Sequence, residues 1–300
     1  MGIMKIDELL LPLPRIIIPG QREGARLPNA PGKSSREISD ILTGQERKQL
    51  LGDIPLNFTQ LGKLTLGRVN PEEGYVLSVD RDGITVASQT GSGTFYAMQT
   101  LGQLIAGSGG GEIPSLTVLD EPALPIRGIH LCYHMIDENL PMMGPNFETA
   151  MELLKTWSHF KLNTVLIEFD AVFPYRKHRR ISNKLAFSEN QIREIRSLCE
   201  KRHLRIIPLI QSIGHAYSSL RHAEYAHLRE VPGTSQQYCI SNPAVEDFYL
   251  ELADEMLKAF PDTEYLHIGG DEARMLGRCR ECGEKLAAEG MKGLYTPYVN

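Results

Sequence analysis

Apolar and polar positions follow one pattern up to about residue 122 and another after it. In the first stretch, residues 9–19 (Leu-Leu-Leu-Pro-Leu-Pro-Arg-Ile-Ile-Ile-Pro) are apolar but punctuated by proline, which predicts an extended edge segment. Residues 20–36 read as loop, and 37–51 as a helix. Residues 63–69 and 75–80 read as strands. The turn Asp80-Arg81-Asp82-Gly83 returns the chain into a strand from Ile84 to Ser88, which predicts a hairpin. Apolar residues at 97, 98, 101, 104 and 105 then predict a helix from Thr94 to Ile105 that packs on the hairpin.

From residue 123 short apolar runs alternate with helical patterns. Strands are predicted at Ile126 to His134, Asn163 to Phe169, Arg205 to Ile210 and Tyr265 to Ile268. The second of these is nearly continuous in apolar residues, as parallel sheets bury on both faces. Helices are predicted from Phe147 to Phe160, from Ser188 (with Gln191, a capping box) to about His203, from Asn242-Pro243 to Phe260, and from Ala273 to Glu289. This repetition implies a parallel sheet with helices around it. A complete (β/α)8 barrel takes about 250 residues and eight strands. The four βα units here match either its first half or a small doubly wound sheet.

Composition changes this picture little. The 300 residues are 42% hydrophobic and 23% charged, with a formal net charge of −5. That is ordinary for a soluble globular protein and argues against nucleic acid or an anionic membrane as partner. No apolar run approaches the roughly 20 residues of a membrane span. The N-terminal stretch lacks the basic start and unbroken apolar core of a secretory signal. Five cysteines without framework spacing predict reduced thiols and a cytoplasmic location. Cys279-Arg280-Glu281-Cys282 has metal-ligand spacing, but one pair is half a zinc site. Cys239 and His267 could complete it only without any spacing argument, so no metal and no cofactor are expected. Trp157, the single tryptophan, falls on a helix and is expected in a core.

The chemistry concentrates in residues 264–276, Glu-Tyr-Leu-His-Ile-Gly-Gly-Asp-Glu-Ala-Arg-Met-Leu. An apolar strand meets Gly269 and Gly270, then two adjacent carboxylates, Asp271 and Glu272. Charged groups at the end of a buried strand are costly unless they have a use. Neighbours on a regular strand point to opposite faces, so the pair shares one site only if the glycines have already ended the strand. Two close carboxylates repel, which favours an anionic Asp beside a protonated Glu. That division suits cleavage of a glycosidic bond. The plainer alternative is an Asp that caps the next helix, with Glu in its first turn.

His267-Ile268-Gly269-Gly270-Asp271-Glu272 resembles the signature of glycoside hydrolase family 20, the β-N-acetylhexosaminidases. Gly-Gly-Asp-Glu also opens the signature of diguanylate cyclases, but Ala273 after it and His267-Ile268 before it depart from that pattern. Thr94-Phe95-Tyr96-Ala97-Met98-Gln99-Thr100-Leu101 resembles a segment of the small domain that precedes the family 20 barrel, and Ile113 to Pro122 its crossing into the catalytic domain. Residues 161–175, with Ile167-Glu168-Phe169-Asp170 and Phe173-Pro174-Tyr175, and also His227-Leu228-Arg229-Glu230, resemble the hexosaminidase D subgroup. The resemblance implies an α/β fold: a small α+β domain over 1–122, then the first half of a TIM-type barrel over 123–300.

It also implies a retaining, substrate-assisted exo-hydrolase for terminal N-acetylhexosamine. The sugar's acetamido oxygen attacks, Asp271 steadies the acetamido group, and Glu272 is the general acid and base. Gly214-His215 matches the family's Gly-His after the third strand, so His215 is expected to support Glu272 with Asp170. Glu168 ranks below Asp170; the two lie two apart and share a face. Arg127, in Arg127-Gly128, and His267 are the substrate-binding candidates, Arg127 through its bidentate fork. Leu131-Cys132-Tyr133-His134 departs from the Asp and Arg-His that often follow. The expected partner is a carbohydrate or glycoconjugate, with galactosamine-type substrates favoured by the subgroup. A sugar-binding, catalytically incomplete fragment is the alternative. With half a barrel, residues 1–300 alone are expected to be unstable or to self-associate and to hydrolyse little. A chain extended by roughly 100–200 residues would be soluble and active.

Overall fold

The computed structural model describes residues 10–26, 34–43, 50–60, 72–109, 112–136, 139 and 142–299. It divides into two compact units: Met1–Arg127 with Leu153–Asn163, and Gly128–Glu152 with Thr164–Asn300.

The first unit contains β1 (Ile16–Pro19), β2 (Ala25–Arg26), α1 (Ser35–Thr43), β3 (Leu56–Gln60), β4 (Tyr75–Asp80), β5 (Gly83–Ser88), α2 (Gly91–Gly107), β6 (Glu112–Ile113) and β7 (Leu116–Asp120). Five of the strands form one sheet in the order β1-β7-β4-β5-β3, and β2 pairs with β6. The hairpin forms as the alternation predicts: Tyr75, Leu77 and Val79 are buried, and the residues between them only partly. The proline-punctuated segment supplies β1, which is an edge strand. The helix on the hairpin starts earlier than predicted, at Gly91, because the Thr90 side chain accepts the Gly93 N–H and caps it. β3 escaped the sequence reading: it is an edge strand whose residues are mostly exposed, so no apolar alternation marks it. The strand predicted over 63–69 lies outside the described residues, as do residues 44–49 of the helix predicted over 37–51.

The second unit is built on three parallel strands, β8 (Gly128–Cys132), β9 (Thr164–Glu168) and β10 (Arg205–Leu209), in the order β10-β9-β8. They run in step, so Cys132, Glu168 and Leu209 finish side by side. The central β9 is buried almost throughout, as its apolar run requires. The accompanying helices are α3 (Phe147–His159), whose residues from Leu153 on belong to the first unit, α4 (Glu189–Lys201), α5 (Tyr217–Leu220), α6 (Pro243–Ala259) and α7 (Arg280–Val299). α4 has the predicted Ser188–Gln191 capping box, and Asn242 caps α6 with Pro243 in its first turn.

Two elements differ from expectation. The strand predicted at 265–268 is a single parallel bridge between Leu209 and His267. The His267 N–H donates to Pro208 O at 2.9 Å, and the Ile210 N–H to His267 O at 3.0 Å. Among the described residues this segment pairs on one side only, and Tyr265 is 55% exposed. The helix predicted from Ala273 begins instead at Arg280. Glu272 and Gly277 hold φ values of 51° and 79°, which a right-handed helix cannot contain. α7 is itself broken at Gly290 (φ 69°). No helix among the described residues is long and apolar enough to cross a membrane.

Candidate active site

The C-terminal ends of the parallel strands carry a group of polar residues, as α/β folds lead one to expect. Glu168 ends β9, and Asp170 opens the 3₁₀ turn Asp170–Val172 two residues later. Cys132 ends β8 and is followed by His134; Gln211 and His215 follow β10. Asp271 and Glu272 follow the bridge at His267.

These side chains form one connected series. His215 Nε2 lies 3.0 Å from Asp271 Oδ2 and 3.7 Å from Glu272 Oε2. His215 Nδ1 shares a hydrogen bond of 3.1 Å with His134 Nε2, one ring donating and the other accepting, and the two rings meet edge to face. His134 Nδ1 then lies 3.7 Å from Glu168 Oε1 and 3.9 Å from Asp170 Oδ2, near both carboxylates and beyond hydrogen-bond reach of either. Glu168 also accepts from Gln211 Nε2 at 3.1 Å and from the Cys132 thiol at 3.4 Å. Gln211 Oε1 in turn accepts the Gly270 N–H at 3.3 Å, which ties the turn that bears the carboxylates to β9.

The backbone is bent to make this possible. Asp170, His215 and Glu272 all have positive φ, at 41°, 51° and 51°. Left-handed non-glycine residues are strained and cluster where function demands a side-chain direction. Gly269 and Gly270 have φ of 65° and 95°, which ends the strand so that Asp271 and Glu272 can serve one side. Gly214 serves close approach: a Cβ there would lie 2.4 Å from Asp271 O. The Gly-His and Gly-Gly-Asp-Glu segments are therefore fitted to each other through backbone.

Electrostatics separates the carboxylates. Burial pushes Asp170 up to about 6, despite hydrogen bonds from Ser218 and the Met135 N–H. Partial burial works against ionisation of Asp271 as well. There, however, its own N–H, the His215 charge and the Gln211 side chain prevail, and Asp271 lies below the ordinary range. Burial lowers His134, while Glu168 pulls it up and His215 pushes it down. Burial, with Glu168 next, pushes the Cys132 thiol up to about 12, so it remains a donor to that carboxylate. Glu272 pairs through Oε1 with Arg274 at 2.6 Å.

Of the residues singled out in the sequence, the structure brings together Asp271, Glu272, His215, Asp170 and Glu168. It does not bring Arg127 to them. Arg127 precedes the start of β8, at the end of the strand away from Cys132. Its guanidinium is committed to Glu73 (2.6 Å), Lys161 O (2.8 Å) and Leu124 O (2.8 Å), above the Tyr96 ring. These contacts hold Arg127 within the first unit. His267 is exposed, and its Nδ1 accepts the Gly269 N–H at 3.1 Å, steadying its own turn. Sequence reasoning missed His134 and Gln211. His134 ends one predicted strand and Gln211 directly follows another, which is the signal that marks them.

Two models of one family lie along the chain in order: glycosyl hydrolase family 20, domain 2, over residues 22–121, and the family's catalytic domain over 156–297. The beta-hexosaminidase of Porphyromonas gingivalis is 28% identical over 260 residues, 74% of this chain and 32% of that protein. Human hexosaminidase D is 35% identical over 137 residues, 44% of this chain and 28% of that protein. The chain thus spans about a third of the length of these curated relatives. The chitobiase of Flavobacterium johnsoniae shares the fold with a TM-score of 0.76 at 20% identity, over 99% of this chain and 50% of that one. The N-acetyl-beta-hexosaminidase of Streptomyces plicatus does so with a TM-score of 0.69 at 20% identity, over 98% and 64%. The catalytic domains of such enzymes are TIM barrels, and the three in-step parallel strands and the bridge at His267 are a partial barrel of that kind. Both halves of the chain match the same family in that family's own domain order, and the chain belongs to glycosyl hydrolase family 20.

Proposed function

We propose that residues 123–300 carry the catalytic carboxylates of an exo-acting β-N-acetylhexosaminidase that works with retention and by substrate assistance, with 1–122 as a small preceding domain. The observation that carries this reading is the turn at 271–272: one carboxylate held in its charged form and a neighbouring one, both facing His215. The acetamido oxygen of the substrate attacks the anomeric carbon as the glycosidic C–O bond breaks. Glu272 gives its proton to the leaving oxygen, and Asp271 stabilises the positive charge that develops on the acetamido group. Glu272, now a carboxylate, takes a proton from water, whose oxygen attacks the anomeric carbon, breaks its bond to the acetamido oxygen and so releases the sugar with its acetamido group restored. His215 positions both carboxylates. His134, Glu168 and Asp170 support His215 from the buried side. The reading requires no cofactor and suits a cytoplasmic protein.

A second reading is a sugar-binding module of the same fold. It is favoured by the openness of the site: the Asp271 and Glu272 side chains are 63% and 52% exposed, and catalytic electrostatics weaken when water reaches them. Release of p-nitrophenol from p-nitrophenyl N-acetyl-β-glucosaminide or -galactosaminide distinguishes the two. Turnover supports the enzyme; binding of the free sugar without turnover supports the module.

A further inference from the structure

A cluster in the second unit has no part in the reaction outlined above. The Sγ atoms of Cys239, Cys279 and Cys282 and a carboxylate oxygen of Glu230 all lie within 4.8 Å of one another. Cys239 Sγ is 3.5 Å from Cys279 Sγ and 3.7 Å from Cys282 Sγ. Thiolates at about 2.3 Å from a tetrahedral zinc ion stand about 3.8 Å apart, so these spacings need almost no adjustment. The residues come from two segments. Glu230 and Cys239 flank a short loop, held by the Glu230 N–H to Gln237 O (3.0 Å) and the Cys239 N–H to Leu228 O (2.9 Å). Cys279 and Cys282 open α7, where the Cys282 N–H donates to Cys279 Sγ at 3.3 Å.

The plain explanation is a pocket of thiols packed with Leu294, Leu276 and Leu286. Glu230 argues against it. Glu230 is only 1% exposed, and a carboxylate is costly to bury among apolar groups and thiols without a partner. One oxygen, Oε1, accepts the Arg278 and Cys279 N–H groups at 2.8 and 3.0 Å. The other, Oε2, is buried with no hydrogen-bond partner, and the Cys239 and Cys282 thiols lie close to the carboxylate. The Cys282 thiol has one competing contact, to Ser241 Oγ at 3.1 Å. Three sulfurs and one unpartnered carboxylate oxygen make a complete four-ligand set, and soft thiolates select zinc over calcium or magnesium.

We propose that Glu230, Cys239, Cys279 and Cys282 form a structural zinc site that clamps the start of α7 to the 230–239 loop. Each thiol binds as a thiolate and releases its proton to solvent. The clamp acts seven residues beyond Glu272, so it would fix the segment that carries the catalytic turn. The pairing of Cys279-x-x-Cys282 with Cys239 and Glu230 replaces the expectation of no metal, and Cys239 rather than His267 is the partner the fold supplies.

The test uses the full chain, reduced, dialysed against zinc and freed of excess metal. Elemental analysis should find about one zinc per chain. Cobalt in its place should give a thiolate-to-cobalt charge-transfer band, and a strong chelator should lower the melting midpoint. Cys282→Ser should retain little or no zinc, and Glu230→Gln should weaken zinc binding tenfold or more. Cys199→Ser, a buried cysteine outside the cluster, should retain a full equivalent. Should a variant fail to fold, the cobalt spectrum and the chelator response of the wild type still decide. Zinc far below one equivalent with a melt indifferent to chelator would overturn the proposal. So would a mass lower by two hydrogens, from a disulfide within the cluster, or equal zinc loss in Cys199→Ser.

Discussion

The histidine pair joins two sets of carboxylates that differ in little but their surroundings. Glu168 and Asp170 lie at one end, nearly sealed from solvent; Asp271 and Glu272 lie at the other, more than half exposed. At the buried end dehydration dominates, and Asp170 is raised to about 6. At the open end hydrogen bonds and the His215 charge outweigh partial burial, and Asp271 is lowered. Two aspartates thus shift in opposite directions, because burial outweighs the donors at Asp170 and the donors and His215 outweigh burial at Asp271. The buried set is suited to holding histidines in place, and the open set to meeting a substrate.

The largest effect expected from breaking this division is at Asp271. Asp271→Asn removes the charge proposed to stabilise the acetamido cation, and kcat/KM should fall about 10²–10³-fold, the scale of losing one preorganised electrostatic partner. Steady-state hydrolysis of a p-nitrophenyl N-acetylhexosaminide measures it. A fall under threefold would remove Asp271 from the chemistry.

At the buried end the expected effect is on stability and its pH dependence. A raised carboxylate pKa means that the folded state holds the proton more tightly than the unfolded chain. Asp170 therefore carries no penalty below its unfolded pKa near 4; the penalty grows up to about 6 and stays constant above that. Asp170→Asn, which retains an acceptor, should gain on the wild type over the same window, reaching of order 1–3 kcal/mol by pH 7. Urea melts at pH 4, 5, 6 and 7 test the sign. A gain that shrinks as pH rises would contradict it.

Arg127 lies outside the comparison, and that makes it a control. Arg127→Lys cannot keep bonds to Glu73, Lys161 O and Leu124 O together. About 1–2 kcal/mol of stability should be lost, while kcat and KM of the folded protein stay as they were. A raised KM at unchanged stability would restore the sugar-binding role. The smallest effect belongs to Arg274→Ala. Its pair with Glu272 is exposed on both sides, so the stability change should stay under about 1 kcal/mol in denaturant melts.

The strands and helices that bury one clear face were legible in the sequence. The β4–β5 hairpin alternates with period two, and α4 and α6 announce their starts with Ser188-x-x-Gln191 and Asn242-Pro243. Elements without such a face were not. β3 is an exposed edge, and residues 265–268 pair on one side only. Asp271, Glu272 and His215 stood out as candidates because they sit in motifs whose glycines answer to a backbone need, at Gly214 and Gly269. His134, Gln211 and the approach of Cys239 to Cys279 were not, since they depend on which strand ends become neighbours.

Proton donation from Glu272 to the leaving oxygen is tested by the leaving-group dependence of Glu272→Gln. A general acid contributes about 10²–10⁴-fold where the leaving group is poor and little where it is activated. Across aryl N-acetylhexosaminides of graded leaving-group pKa, the variant should lose activity steeply on the basic aglycones and far less on the nitrophenols. An equal loss along the whole series would contradict the acid role and the site built around it.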